Sequence, residues 1–387
     1  MFTYHIPTKI YFGKDQLQNL GSVTKSYGKK VLLVYGGSSL KKTGAYDQII
    51  LQLNQNEVEI FELSGIEPNP KVDSVRKGIE ICKKENIEVI LAAGGGSSMD
   101  AAKFIAAGAC VDFDVWDFIA KKSPVEKVLP LLCVLTISAT GSEMDNTAVL
   151  SNPQTQDKLA LMNDKLFPAA SFCDPTLTYT VSAYQTACGS ADILSHIMEV
   201  YFNYNQNLFM LDTQMEGMMK TVLKYAPIAL KDPTNYEARA NLMWTSSWAI
   251  NGYIFGCNKS PWSCHAIEHQ LSAVYDITHG LGLAIVTPRW MEYILDETNV
   301  EKFYNFAVNV CRLPSCEDKM KTAKMGIEYL KDFFFNKLEL KSKLSDINID
   351  SQNFDLMAKK ACGANGFING WKKLYPEDVK KIYQASL

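Results

Sequence analysis

The sequence predicts an α/β domain built on a parallel sheet over residues 1–178, followed by an all-helical domain over residues 179–387. Three observations predict this. Over roughly the first 175 residues, short apolar runs alternate with amphipathic stretches, the pattern of strands separated by helices. The pattern changes near Asp174-Pro175, and beyond it the apolar periodicity is mostly helical, in long segments with few Gly or Pro residues. A chain of 387 residues also suggests two cores rather than one.

In chain order, Lys30–Tyr35 is a strand-like run that ends at Gly36-Gly37. Val72, Val75, Ile79 and Cys82 recur at helical spacing within Val72–Glu85. Asn86–Ala93 is a second strand and ends at Gly94-Gly95-Gly96; Pro130–Leu135 is a third. In the second half, Met210–Ala226, Tyr236–Tyr253 and Met320–Phe335 read as helices of the all-α domain, and Lys337–Asp350 as a solvated connection. The chain has no internal repeat and no low-complexity tract.

Composition narrows the function. Against 42 Asp+Glu there are 39 Lys+Arg, a net charge of −3, so there is no cationic excess to displace the counterions of a nucleic acid. With 47% hydrophobic, 21% charged and 11% aromatic residues the chain is that of a soluble globular protein, not a disordered one. The apolar run near Val128–Ala139 contains Pro130 and falls short of the about 20 residues a spanning helix needs, so no membrane is expected. Met1–Pro7 shows no secretory signal. Ten cysteines are scattered singly, and neither Cys257…Cys264 nor Cys311…Cys316 makes a CxxC pair. Free, buried thiols in a reducing cytoplasm are expected.

Three glycine- or hydroxyl-rich turns follow strands. Gly94-Gly95-Gly96-Ser97-Ser98 opens a helix that Ser97 or Ser98 can cap. Its glycines let backbone approach a ligand, and a helix start offers N–H groups and positive dipole to a phosphate. Gly36-Gly37-Ser38-Ser39 and Thr136–Glu143 are turns of the same kind. None is a clean G-x-G-x-x-G. Together they would lie on one edge of a parallel sheet, the edge where such sheets bind ligands, and they point to a nucleotide site.

The five histidines are His5, His196, His265, His269 and His279. Asp192-x3-His196 puts a carboxylate and an imidazole on one helical face, and His265-x3-His269 repeats the spacing. His279 follows just before Gly280. Three imidazoles and a carboxylate suit Zn²⁺ or Fe²⁺, and the absence of HExxH speaks against a zincin protease.

At this point the sequence resembles the iron-containing (group III) alcohol dehydrogenase family over essentially its whole length. The resemblance is carried by Pro7–Gly13, Gly94-Gly-Gly-Ser97-x-x-Asp100-x-x-Lys103, Ala139-Thr-Gly-Ser-Glu143, Asp174-Pro-x-Leu177-Thr178, Asp192-x3-His196 and His265-x3-His269-x9-His279-Gly280. The turn Tyr35–Gly44 is more similar to the butanol dehydrogenase and broad aldehyde reductase branch than to the lactaldehyde reductase branch.

The resemblance implies a Rossmann-like cofactor domain and a helical metal domain, the dehydroquinate synthase-like architecture. It implies Asp192, His196, His265 and His279 as ligands of one divalent ion, with His269 beside them. On the cofactor side it implies Gly36, Gly37 and Ser39, Gly94–Ser98 (Gly94, Gly95, Gly96, Ser97, Ser98) with Asp100, then Thr136, Thr140, Ser142, Asn146, Lys158 and Leu177. Where the family often has a proline, this chain has Ser182, which is expected to loosen the start of the helical domain. The implied activity is hydride transfer between NAD(P)H and short-chain aldehydes such as butanal, with the ion as Lewis acid and His269 as proton relay. No acid close in sequence repels a 2′-phosphate, and Ser39 or Lys41 could bind one, so neither NADH nor NADPH is preferred. Tyr253, Phe255 and Trp262 serve equally as an apolar substrate wall or as helix core. The resemblance also implies a homodimer. The rivals are a glycerol dehydrogenase or dehydroquinate synthase-like enzyme of the same architecture, and a non-catalytic metal or nucleotide sensor.

Overall fold

A computed structural model describes residues 3–203, 208–255 and 262–387, so Cys257 lies outside the described residues. The apolar runs of the first half become strands: β1 (Lys9–Phe12), β2 (Lys30–Tyr35), β3 (Glu59–Leu63), β4 (Val89–Gly94), β5 (Leu131–Leu135) and β8 (Ala170–Cys173). These six make one parallel sheet in the order β1-β8-β5-β4-β2-β3. Strands β6 (Thr147–Asn152) and β7 (Asp157–Met162) form a separate antiparallel pair.

Successive strand residues face opposite ways. Leu32, Val34, Ile90, Ala92, Cys133 and Leu135 pack into one core with Val75, Met99 and Phe104. Val31, Leu33, Val89, Leu91, Leu132 and Val134 pack into another with Leu20, Ile49 and Leu53. Both faces of the sheet are therefore covered, which is why its strands read as continuous apolar runs.

The helix Val72–Glu85 has Asp73 in its first turn and Lys83 and Lys84 in its last, charges that complement its dipole. Asn86, expected to begin a strand, instead closes this helix in the left-handed region at φ 53°, and β4 starts at Val89. Asparagine is one of the few residues that takes that conformation readily.

The chain divides into two compact units. The α/β unit comprises His5–Val181 together with Pro233–Asn251; the helical unit includes Ser182–Asp232 and Gly252–Leu387. Helix Tyr236–Ile250 was expected in the all-helical domain but belongs to the α/β unit. Its Met243 enters the sheet's core, and its Ser247 hydroxyl donates to the Glu143 carboxylate. Periodicity reports that a helix has an apolar face, not which core that face covers.

The helical unit contains the helices Ala183–Tyr201, Phe209–Lys231, Ser263–Tyr275, His279–Ile294 and Lys319–Asp332, the last continuing into a wider turn at Phe333–Lys337. Ser182 does not loosen its start. The Ser182 hydroxyl accepts a hydrogen bond from Gln185 N at 3.2 Å and caps helix Ala183–Tyr201, doing the work of an N-cap. Among the described residues no helix is long and apolar enough to cross a membrane.

Candidate active site

In the α/β unit the three turns follow β2, β4 and β5, which are neighbours in the parallel sheet. Tyr35 pairs with Ala93 and Gly94 with Leu135, so the turns emerge level on one edge. The chain runs from β2 outward to β3 and returns to the other side of β2 as β4. The crevice between the β2 and β4 ends is thus a topological switch point, where open α/β sheets bind ligands.

Helix Gly96–Gly108 begins at this edge with Gly95 as its N-cap and no side-chain cap. The expected capping by Ser97 or Ser98 is not observed: both lie within the first turn, and Ser98 N turns back to Gly95 O at 3.1 Å. A helix start without a capping side chain keeps its N–H groups and positive dipole for an anion. A Cβ added to Gly96 would stand 2.4 Å from Thr140 Oγ1, so glycine here lets the Thr136–Glu143 turn close over the helix start.

The remaining residues expected on the cofactor side brace this edge. Thr136 N donates to Gly94 O at 2.9 Å. Ser142 Oγ donates to Asp100 Oδ1 at 2.7 Å, and Asp100 Oδ2 accepts from Val149 N at 3.0 Å. Thr140 Oγ1 accepts from Ser142 N, Asn146 Nδ2 donates to Asp164, and the buried Lys158 Nζ donates to Asn69 Oδ1 at 2.8 Å. Leu177 is buried in the core on the Val31 side of the sheet. Ser39 opens a short helix whose Lys41 lies 4.5 Å over the Tyr46 ring. Sequence proximity concealed one acid. Glu62, at the end of β3, accepts from both Tyr35 and Tyr46 hydroxyls at 2.6 Å.

The motif residues Lys103 and Glu143 are buried behind this edge, with Asp145 beside them. The fully buried Lys103 pairs with Asp145 and donates to Thr147 O at 2.7 Å. Burial pushes the Glu143 carboxyl up to about 7, with the Ser247 hydroxyl working against the rise.

In the helical unit, Asp192 and His196 share a face of helix Ala183–Tyr201, His265 lies on helix Ser263–Tyr275, and His279 is the first residue of helix His279–Ile294. Gly280 brings two of these helices into backbone contact: a Cβ there would stand 2.1 Å from the Cys188 carbonyl oxygen, one turn before Asp192.

The side chains gather about Asp192, with His265 and His279 in its tightest group and His196 outside that group. Asp192 Oδ1 lies 3.5 Å from His196 Nε2 and 3.8 Å from both His265 Nε2 and His279 Nε2. The ligand atoms of Asp192, His265 and His279 all lie within 4.8 Å of one another. The His196 ring stacks on that of His265, with centroids 4.7 Å apart. Donor atoms sharing one tetrahedral ion with bonds of about 2.1 Å stand about 3.4 Å apart.

These residues fit a divalent ion on a second ground. Asp192 Oδ1 and His265 Nε2 are buried and have no hydrogen-bond partner, which is rare and costly for polar atoms unless something else satisfies them. Burial works to raise the Asp192 carboxyl, but the imidazoles, His196 foremost, hold it well below the usual range. Burial pushes the His196 imidazole down to about 4. An ionised carboxylate and a neutral imidazole are the forms that bind metal, and His265, which burial lowers but the Glu199 carboxylate pushes up to about 9, gives up a proton when it binds one.

His269 lies beside this centre, its ring centroid 5.4 Å from that of His279. Trp262 sets its ring edge-on against both His196 and His265, at 5.7 and 5.2 Å, and Phe255 packs on Trp262. Tyr253 pairs with Tyr4 instead. Sequence reasoning passed over two carboxylates. Glu199 Oε1 accepts from His265 Nδ1 at 2.8 Å, and Glu268 pairs with His279 Nδ1.

A sheet edge suited to a dinucleotide and a buried Asp/His centre suited to a divalent ion define the class of a metal-dependent dehydrogenase. Residues 7–175 match the family model for iron-containing alcohol dehydrogenases, and residues 186–387 match that of the family's C-terminal region. The chain belongs to the iron-containing alcohol dehydrogenase family. It is 46% identical over 387 residues to the NADH-dependent butanol dehydrogenase B of Clostridium acetobutylicum, covering 100% of this chain and 99% of that one. It is 34% identical to the NADPH-dependent aldehyde reductase YqhD of Escherichia coli, over 93% of this chain and 92% of the relative. The crystal structure of the NADH-dependent butanol dehydrogenase A of Thermotoga maritima superimposes with a TM-score of 0.94 at 36% identity, covering 100% of this chain and 98% of that one.

Proposed function

We propose that this protein interconverts short-chain aliphatic aldehydes and alcohols, butanal and butanol among them, using NAD(P)H and one divalent ion, Fe²⁺ or Zn²⁺, held by Asp192, His196, His265 and His279. The observation that carries the reading is the buried Asp192 Oδ1, without a hydrogen-bond partner and faced by three imidazole nitrogens. A divalent ion bound there supplies Lewis acidity to the carbonyl or alkoxide oxygen, and the reduced nicotinamide supplies the hydride.

The protein's own residues do the rest. Counted over the four ligands alone, one carboxylate and three neutral imidazoles leave a bound divalent ion net positive, which favours an alkoxide over a neutral alcohol, with Glu199 and Glu268 further out behind His265 and His279. Trp262 and Phe255 offer an apolar wall beside the imidazoles for an alkyl chain. His269 is exposed enough to pass a proton to and from the product oxygen through water. In the α/β unit, the N–H groups at the start of helix Gly96–Gly108 bind the pyrophosphate, with Gly36, Gly37 and Ser39 across the switch point.

Two further parts of the reading rest on kinship and composition. The protein is a homodimer, which light scattering would check. It works in the cytoplasm, a reading supported by cysteines that are all free thiols among the described residues.

The test is butanal-dependent oxidation of NADH and NADPH, in parallel, by metal-stripped protein reloaded with Fe²⁺ or Zn²⁺. Turnover that returns with the metal is expected. Stoichiometric metal without turnover on any aldehyde would overturn the reading in favour of a lyase of the same architecture or a sensor.

A further inference from the structure

We propose that Glu199 and Glu268 are the positioning residues of the metal centre. Each holds one imidazole by its Nδ1, so that the Nε2 lone pair of His265 and of His279 is fixed toward the ion. The inference rests on the metal-binding reading above and adds two residues outside the ligand set.

A neutral imidazole carries one N–H, and its partner decides which nitrogen is left bare. Glu199 Oε1 accepts from His265 Nδ1 at 2.8 Å and also from the His265 backbone N at 2.6 Å. That backbone N–H lies in the first turn of helix Ser263–Tyr275, where no intrahelical acceptor exists. One carboxylate oxygen therefore fixes both the helix start and the rotation of the ring. The other face of that ring leaves Nε2 buried without a hydrogen-bond partner, 3.8 Å from Asp192 Oδ1.

Glu268 does the same for His279. It pairs with His279 Nδ1, and its own carboxylate is held by the Ser272 hydroxyl, which donates to Oε1 at 2.6 Å. A Cβ on Gly282 would stand 2.6 Å from Glu268 Oε1, so the glycine keeps the space this carboxylate occupies. Both acids are buried, Glu199 to 2% and Glu268 to 0% exposure, where polar side chains are held by hydrogen bonds.

The two braces link three helices in series. Helix Ala183–Tyr201 carries Asp192, His196 and the brace for His265; helix Ser263–Tyr275 carries His265 and the brace for His279. Carboxylates that orient metal-binding imidazoles in this way also raise their basicity, and losing one costs about 10- to 100-fold in metal affinity.

The experiment uses full-length wild type, Glu199→Gln, Glu268→Gln and His265→Ala. Zn²⁺ affinity is measured by chelator competition, the visible bands of the Co²⁺-loaded proteins are recorded, and thermal unfolding of each metal-free form is followed. Each Gln variant is expected to bind Zn²⁺ about 10- to 100-fold more weakly, with altered Co²⁺ bands and near-wild-type unfolding of the metal-free protein. Glu199→Asp, which keeps the charge but shortens its reach, is expected to weaken Zn²⁺ as well, and it carries the test if Glu199→Gln does not fold. Gln variants that match wild type in Zn²⁺ affinity and Co²⁺ bands overturn the brace while leaving the metal reading intact. Wild type that takes up no stoichiometric metal, or His265→Ala that binds as tightly as wild type, overturns the metal reading itself.

Discussion

The helical unit and the α/β unit are built around their candidate sites in opposite ways. The helical unit concentrates side chains: Asp192 with three imidazoles, the carboxylates of Glu199 and Glu268 and an aromatic neighbour, with Asp192 Oδ1 and His265 Nε2 buried without a hydrogen-bond partner. The α/β unit clears side chains away: its edge is made of glycines and an uncapped helix start, and the buried Lys103, Asp145 and Glu143 bond behind it. A metal asks for specific donor atoms, whereas a pyrophosphate asks for backbone N–H groups and room. Substitutions in the first unit should therefore act through lost donors, and those in the second through added bulk.

The sharpest way to break the comparison is His265→Ala. It should remove bound metal and activity together, by about 100-fold or more, while NADH still binds; metal analysis and fluorescence titration with NADH would check both halves. His269→Ala should keep most of the metal and slow turnover by about 100-fold, the scale of a lost acid–base group. Complete loss of metal from that variant would erase the proposed division of roles between His269 and the four proposed ligands.

Gly96→Val is the converse experiment. Bulk placed against Thr140 should weaken NADH by about tenfold with metal content unchanged, and unaltered NADH affinity would remove this helix start from the nucleotide site.

The smallest effect concerns stability alone. Glu143 titrates at about 7 when folded and near 4.3 when unfolded. Between those values the folded protein holds a proton that the unfolded chain has given up, so the contribution of Glu143 to stability is lost as pH rises through that window. Glu143→Gln does not titrate. Its melting temperature, relative to wild type, should rise by a few degrees from about pH 4 to about pH 7 and level off above. A flat difference would show that burial does not disfavour the charge.

Much of this was legible in the sequence because it depends on spacing. Asp192 and His196, four residues apart, must share a helical face, and glycine runs after apolar runs must turn at strand ends. The bracing carboxylates were not legible. Glu199 follows His196 by three residues and Glu268 follows His265 by three, the spacing of countless helical acids. Only the crossing of helices, set by close approaches such as that of Gly280 to Cys188, decides that they reach imidazoles on a neighbouring helix. Helix Tyr236–Ile250 was misassigned for the same reason, since its destination is a tertiary fact. Ser182 was a different kind of miss: its capping role was local, and comparison with a proline masked it.

That helix also has a consequence for the order in which the molecule is made. The α/β unit ends its first stretch at Val181, yet it lacks Met243 from its core and Ser247 from Glu143 until residues 233–251 follow. On the ribosome the α/β unit still lacks part of its core when its sheet has emerged. The missing segment follows only after helices Ala183–Tyr201 and Phe209–Lys231, which belong to the other unit, are synthesised. No single cut in the chain yields both halves whole, so separating them for study calls for grafting the 233–251 segment rather than truncation.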